Sequence, residues 1–457
     1  MATKSSPAWL TNPLMKKTLT QLALVAVPKV LGGAFSVAVS GVLLHYLGPA
    51  EFGVYAIALT IVALTEGALG ASIDMGVVKR ASLAGGVSAT DARRFEQSGV
   101  FFKLALGAMV LGLLALAGEP LAQHLFGHTP ETVPAFAAGG PASVLPPSLA
   151  AATLPLLLLT GGVATGVLLL RSLLLHLQLA QRFGAYCVLE SWVQLLRVAA
   201  AVIAITVLTP SAFTLLGMML FGTLAALALG AVLARPLWTA LRPSRVAARE
   251  LMGTIRWFLV TFAFSASLSR IDVLLLGKFG SLEQVGIYAA GQIFAQIPEL
   301  VGTYLAVVFS AKVAPAAAAG QFPALLRKVQ TACWTAAVLL GAAALVLVPM
   351  GTPWIPAVYA DAAAILLILL PGTLAAMCAF PVAIPYVMFM RPRFIFLLDL
   401  VTLPIVLLAY YLAIREAGAV GAAWVTGLTR LIKLSVIQYV AWRWARCGMQ
   451  ASPAAML

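Results

Sequence analysis

Leu47-Gly48-Pro49-Ala50-Glu51-Phe52-Gly53-Val54-Tyr55-Ala56 lies in a short turn between two long apolar runs. A second version, Phe279-Gly280-Ser281-Leu282-Glu283-Gln284-Val285-Gly286-Ile287-Tyr288-Ala289, lies in the same kind of turn in the second half of the chain. Glycine lets helix ends approach closely or take positive φ, and a tyrosine opening the returning helix suits the membrane–water boundary. A short match at equivalent places in two halves is the signature of an internal repeat. Because both copies have the same orientation, it is a parallel repeat, with its axis along the membrane normal, as in transporters built from two facing bundles.

Working outward, the 457 residues are 62% hydrophobic and only 10% charged, with mean hydropathy +1.02. Soluble domains carry about a quarter charged residues, so this composition excludes a soluble multidomain enzyme. The apolar runs predict twelve spans, near 19–44, 53–78, 98–118, 148–170, 185–208, 211–234, 255–277, 285–309, 329–349, 362–390, 394–414 and 418–441. The fold class expected is all-α: a polytopic membrane protein with two pseudo-symmetric six-helix lobes around a central cavity. The basic stretch between spans 6 and 7 divides it into an N-terminal lobe (1–240), a cytoplasmic linker (241–254) and a C-terminal lobe (255–457).

A formal charge of +14 and a pI near 9.9 would suggest a polyanion partner if the charge lay on a soluble face. Here the basic residues fall in alternate gaps and at both ends, among them Lys16, Lys79, Arg94, Arg182, Arg249 and Arg443, whereas the other gaps hold only Lys278 and Arg415. This is the positive-inside pattern. It places both termini in the cytoplasm, accounts for the charge without nucleic acid, and leaves some attraction to anionic membrane lipid. Lys16 and Lys17 precede an apolar stretch too long for a signal-peptide core, so the first span is expected to be retained. Cys187, Cys333, Cys378 and Cys447 imply no disulfide frame.

Leu47 to Ala56, continued by Ile73-Asp74-Met75-Gly76-Val77-Val78-Lys79-Arg80, resembles the opening of bacterial polysaccharide transporters, the Wzx-type O-antigen and exopolysaccharide flippases of the MATE-like exporter superfamily. Arg270-Ile271-Asp272-Val273-Leu274-Leu275-Leu276-Gly277 with Val285 to Ala289 is similar to the span 7–8 segment of that family, and Gly418-Ala419-Val420-Gly421-Ala422-Ala423 to its last hairpin. The resemblance implies two lobes rocking around a cavity to carry a polyprenyl-pyrophosphate-linked oligosaccharide outward across the bacterial inner membrane. It also implies partners in a polysaccharide polymerase and chain-length machinery.

Ionisable groups deep in a bilayer are expensive and turn toward protein or water. Helical spacing gathers them into polar stripes: Lys29, Gly33, Ser36 and Ser40; Tyr186, Glu190, Gln194 and Arg197; Thr261, Ser265, Ser269 and Asp272 with Arg270 alongside; Tyr288, Gln292, Gln296, Glu299 and Thr303; and Thr426, Arg430 and Lys433. Arginine forks and lysine charges suit a pyrophosphate. The candidate substrate-binding residues are therefore Lys29, Arg197, Arg270, Arg430, Gln292 and Gln296, and the candidates for ion coupling are Glu66, Glu299 and Asp272.

Structural pairing competes with ligand contact at each cation. Arg197 has Glu190 within reach of its helix face, Arg270 has Asp272, and Lys29 and Arg430 have no local acid. Asp74 is expected to pair with Lys79 or Arg80, Asp399 to be structural, and Lys103 and Lys433 to snorkel toward the inner surface. Pro371, Pro381 and Pro385 should kink or break span 10.

No P-loop and no metal-ligand spacing is present; His124 and His128 lack a third ligand, and no cofactor is expected. The competing functions are a cation-coupled drug exporter, whose cavity should be acidic, and a polytopic polymerase or ligase, which needs a catalytic external loop. Lipid II flippases usually carry two further spans.

Overall fold

In the computed structural model residues 13–85, 89–126, 153–235, 244–318, 320–351, 355–390 and 392–447 are described. They form α1 (Pro13–Tyr46), α2 (Pro49–Leu64), a π turn (Thr65–Gly70), α3 (Ala71–Gly85), α4 (Ala89–Phe126), α5 (Thr153–Leu179), α6 (Phe183–Thr206), α7 (Ala212–Leu233) and α8 (Arg245–Phe279). The second half continues with α9 (Leu282–Ala295), α10 (Ile297–Ala318), α11 (Phe322–Gly351), α12 (Asp361–Ala379), α13 (Ala383–Met390) and α14 (Pro392–Arg446).

Nine helices among the described residues are long and apolar enough to cross a membrane. The last of them turns back on itself: Gly418 takes φ 53, ψ −128 inside α14, and the Tyr410 hydroxyl lies 2.9 Å from Thr426 Oγ1. Residues that far apart on one straight helix would be about 24 Å distant at 1.5 Å per residue. One other pass is made of shorter pieces, α9 with α10, while α12, itself one of the nine, continues as α13 beyond a break at Pro381, which has no N–H to donate. Pro371 and Pro385 sit inside helices instead. With α1, the described residues make twelve passes.

Local chemistry sets the helix starts. Pro49 follows the Gly48 N-cap, where its missing N–H is no loss. Ser211, Ser244 and Ser281 cap α7, α8 and α9 by accepting from the N–H groups of Thr214, Ala247 and Gln284. The Ser244 cap alters one expectation: from Arg245 onward the linker read at 241–254 is the first turns of α8.

The two copies of the repeat meet each other. A methyl on Gly53 would collide with the Leu282 carbonyl, and one on Gly286 with the Pro49 carbonyl, so α2 and α9 cross backbone to backbone. Around the crossing Val54, Ile57, Val273, Val285, Tyr288 and Ile365 form one buried core. The same end of the bundle is closed by Leu43, Leu47, Phe52, Ala290, Tyr359 and Ala362, and Tyr359 donates to the Leu47 carbonyl at 2.9 Å. At the opposite, basic end Gly76 packs on Ile255 and Arg80 bonds Thr254 at 2.9 Å and pairs with Glu250 at 3.6 Å.

The repeat extends further. Glu51 and Gln284 hold matching positions, two residues before Gly53 and Gly286. Glu51 accepts from the Ala212 N–H at 2.9 Å, at the start of α7. Gln284 lies against Gly418, at the start of the last pass. Each therefore reaches the sixth helix of its own half.

Candidate functional site: charge pairs within each half

Glu66 follows Tyr55 at the same chain distance as Glu299 follows Tyr288, so these glutamates are also repeat-related. Each sits where its helix is irregular: Glu66 in the π turn, Glu299 just beyond the α9–α10 break. π turns mark functional positions more often than ordinary helix does. Both glutamates bind arginine. Glu66 pairs with Arg171 of α5 at 3.3 Å, and Glu299 accepts from Arg430 of α14 at 2.8 Å. All four side chains keep contact with solvent-sized space, with 31% and 41% exposure in the first pair and 28% and 18% in the second.

Beside these pairs stand arginines without one. Arg197 is exposed and Arg270 half-buried, and neither has a hydrogen bond or ion pair among the described residues. The expected Glu190–Arg197 pairing is not formed: Glu190 is 6% exposed, and its Oε2 has no hydrogen-bond partner among the described residues. Gln194, between them on α6, lies against Gly32 of α1, and Gly33 stands against Tyr304 of α10. These contacts bring α1, α6 and α10 together. Lys29 is on α1, but its side chain lies outside the described residues, as does His128 of the external gap. Gln296 is half-buried at the α9–α10 break.

Asp272 has a different setting from the one its stripe suggested. It is 1% exposed, and its Oδ2 accepts from the Tyr288 hydroxyl (2.5 Å), Gln292 Nε2 (3.1 Å) and Thr426 Oγ1 (3.5 Å). Oδ1 takes the Val273 N–H. Asp272 is thus a hydrogen-bonded tie between α8, α9 and α14 and leaves Arg270 without a pair among the described residues. Gln292, 5% exposed, belongs to this sealed network and not to an open wall.

Two further pairs correct the snorkelling and local-pairing expectations. Asp74 binds neither Lys79 nor Arg80 but Lys103 of α4, at 2.6 Å, with Lys103 completely buried. Lys433 pairs with Asp399, itself 0% exposed. His176 Nδ1 lies 2.5 Å from Glu96. The partner helices in these pairs are distant in sequence, and i+4 or i+5 proximity could not reveal them. Arg171 was legible in principle: the leucines that flank it on both sides up to Leu179 show that α5 continues well past it.

Among the described residues no group of three His, Cys, Asp or Glu side chains could hold a metal ion. What the described residues offer is two arginines in each half, one held by a glutamate of the same half and one without an ion pair.

No protein-family model matches the chain, and no curated protein does. Solved structures do. One is an inward-facing multidrug-resistance MATE family transporter of the MOP superfamily, at 13% identity and TM-score 0.64, over 92% of this chain and 97% of that one. Another is the lipid II flippase MurJ in an inward closed conformation, at 12% identity and TM-score 0.66, over 91% and 87%. The chain has the fold of these membrane transporters. An outward-facing MATE transporter overlaps less, at TM-score 0.55 and 13% identity over 93% and 95%.

Proposed function

We propose that this chain is a flippase that moves polyprenyl-pyrophosphate-linked oligosaccharide repeat units from the cytoplasmic to the outer leaflet of a bacterial inner membrane by alternating access, in O-antigen or exopolysaccharide assembly. In this reading both termini are cytoplasmic, residues 1–240 and 255–457 are the moving lobes, and the protein hands its cargo to a polymerase and chain-length machinery. The fold shared with MurJ, named for lipid II, and the resemblance to Wzx-type flippases both favour a lipid-linked cargo.

The observation that carries the reading is one arginine in each half that no carboxylate holds. Glu66 and Glu299 are each bound by an arginine and Asp272 and Glu190 are buried, whereas Arg197 and Arg270 have no hydrogen bond or ion pair among the described residues. Guanidinium groups bind phosphate oxygens through paired N–H donors, and a diphosphate can engage one from each half. Its arrival displaces Glu66 and Glu299 from Arg171 and Arg430, so the glutamates become free to take protons or cations. A cavity selecting cationic drugs requires unbound carboxylates in place of unbound arginines.

The test is lipid extraction from a deletion strain, with mass spectrometry of polyprenyl-pyrophosphate-linked sugars. Accumulation of one completed, inward-facing repeat unit with loss of surface polymer is expected. Normal lipid-linked sugars with altered sensitivity to cationic drugs would instead support the exporter, and outward-facing repeat units a polymerase or ligase.

A further inference from the structure

At the basic end, on the outside of the second half, α11 and the last turns of α14 enclose a groove of about 600 Å³. Its mouth carries Arg327 and Arg446, both exposed, and no carboxylate is among its lining residues. The Arg446 guanidinium lies 3.5 Å over the Trp442 ring, and Trp334 faces the groove from α11. The walls then become apolar, through Val338 and Leu339. From Arg327 to Leu339 the groove runs about 18 Å along α11 at 1.5 Å per residue, more than half the thickness of one hydrocarbon leaflet pair's ~30 Å core. Partway along, Gln330 aligns with it and keeps Nε2 buried without a hydrogen-bond partner among the described residues. An orphaned buried donor calls for an acceptor.

Only 11% of the apolar stretch of α11 is covered by the rest of the protein, against 67% for α12, so this groove faces lipid and not the interior of the bundle. Two cations at the mouth, two tryptophans at headgroup level, an unpaired amide N–H and an apolar floor match one kind of molecule. We infer that the groove is a binding site for an anionic phospholipid of the leaflet at the basic end. Its phosphate sits between Arg327 and Arg446, an ester oxygen accepts from Gln330, and an acyl chain lies along Val338 and Leu339. Basic pockets between helices on the cytoplasmic side hold acidic headgroups by this chemistry, and the tryptophans sit where amphipathic rings are favoured. The inference is independent of the cargo carried between the halves.

The purified full-length chain can be titrated with phosphatidylglycerol or phosphatidylcholine carrying brominated acyl chains, reading quenching of tryptophan fluorescence. Trp334→Phe/Trp442→Phe assigns the signal to the groove among the nine tryptophans. Phosphatidylglycerol should half-saturate the groove signal at a lower concentration than phosphatidylcholine. Arg327→Gln/Arg446→Gln should erase most of the difference, about fivefold per arginine and about 25-fold for both. Both arginines are exposed, so this variant folds, and its melting curve in detergent checks that. Equal quenching by the two lipids, or an unchanged preference in the arginine variant, overturns the inference. So does quenching that appears only after residues 448–457 are removed, because the tail would then be the occupant.

Discussion

Gly53 and Gly286 occupy the same place in the two copies of the repeat and stand against each other, each leaving room only for the backbone of the other helix. Equivalent residues that meet in this way lie on the pseudo-symmetry axis, as they do in a self-complementary two-fold interface. The crossing is also where the closed end of the bundle begins. Gly286→Ala puts a methyl into the Pro49 carbonyl, and overpacking of this kind costs about 1–3 kcal/mol. The variant should melt earlier and spread the closed end. Spin labels at Gly48→Cys and Ala357→Cys would report a longer distance in Gly286→Ala; an unchanged distance and melting temperature would show that the crossing is slack.

The Asp272 network ties three helices, and its carboxylate is enclosed. Asp272→Asn turns one acceptor oxygen into an amide donor facing the donors of Tyr288, Gln292 and Thr426, and an unsatisfied buried polar group costs about 1–3 kcal/mol. Stability should fall while transport keeps its dependence on the ion gradient. Loss of gradient dependence in a well-folded Asp272→Asn protein would return this residue to the coupling role that its stripe suggested.

Lys103, completely buried, pairs inside the first half with Asp74, which keeps 23% exposure. Removing the partner of a buried charge costs about 3–5 kcal/mol, whereas removing both is often neutral. Asp74→Leu alone, which strands the buried ammonium, should therefore be poorly folded, and Lys103→Met/Asp74→Leu close to wild type in thermal unfolding. If Asp74→Leu is as stable as wild type, the lysine reaches solvent after all and does not need its partner.

The all-helical membrane fold and the two matching turns were readable, because each rests on periodicity or composition carried within one segment. Twelve passes emerge from apolar runs alone, and Gly53 and Gly286 stood out as aligned glycines before their contact was known. Partner choice was not readable. Asp74 had two cations within a helical turn or two and took a third, Lys103, from another helix, because α3 turns that face toward α4 and leaves Lys79 and Arg80 toward the basic end. Arg430 looked isolated on its own helix and found Glu299 on α10 of the same half. Arg197 looked paired and stands without a partner among the described residues. A stripe says which face of a helix is polar; which helix that face meets depends on packing angles that a single sequence does not encode.

The repeat-related glutamates give the sharpest test of mechanism. Glu66 with Arg171, and Glu299 with Arg430, give each half one glutamate–arginine pair at an irregular point of its helix, with the arginines coming from different helices, α5 and the last pass of α14. If they alternate between holding an arginine and yielding it to an anionic ligand, damage to either half has the same consequence. Arg430→Ala and Arg171→Ala should both abolish export with normal membrane insertion, and so should Arg197→Ala. Glu66→Gln and Glu299→Gln should each leave the arginine free, tightening ligand retention while slowing turnover and weakening dependence on the ion gradient. The double variant Glu299→Gln/Arg430→Gln should be no worse than Arg430→Gln alone, because residues acting as one unit are not additive. Export measured in a deletion strain complemented with each variant decides the matter. Full export by Arg430→Ala, or opposite effects of the two glutamine variants, would mean that these pairs only brace their helices.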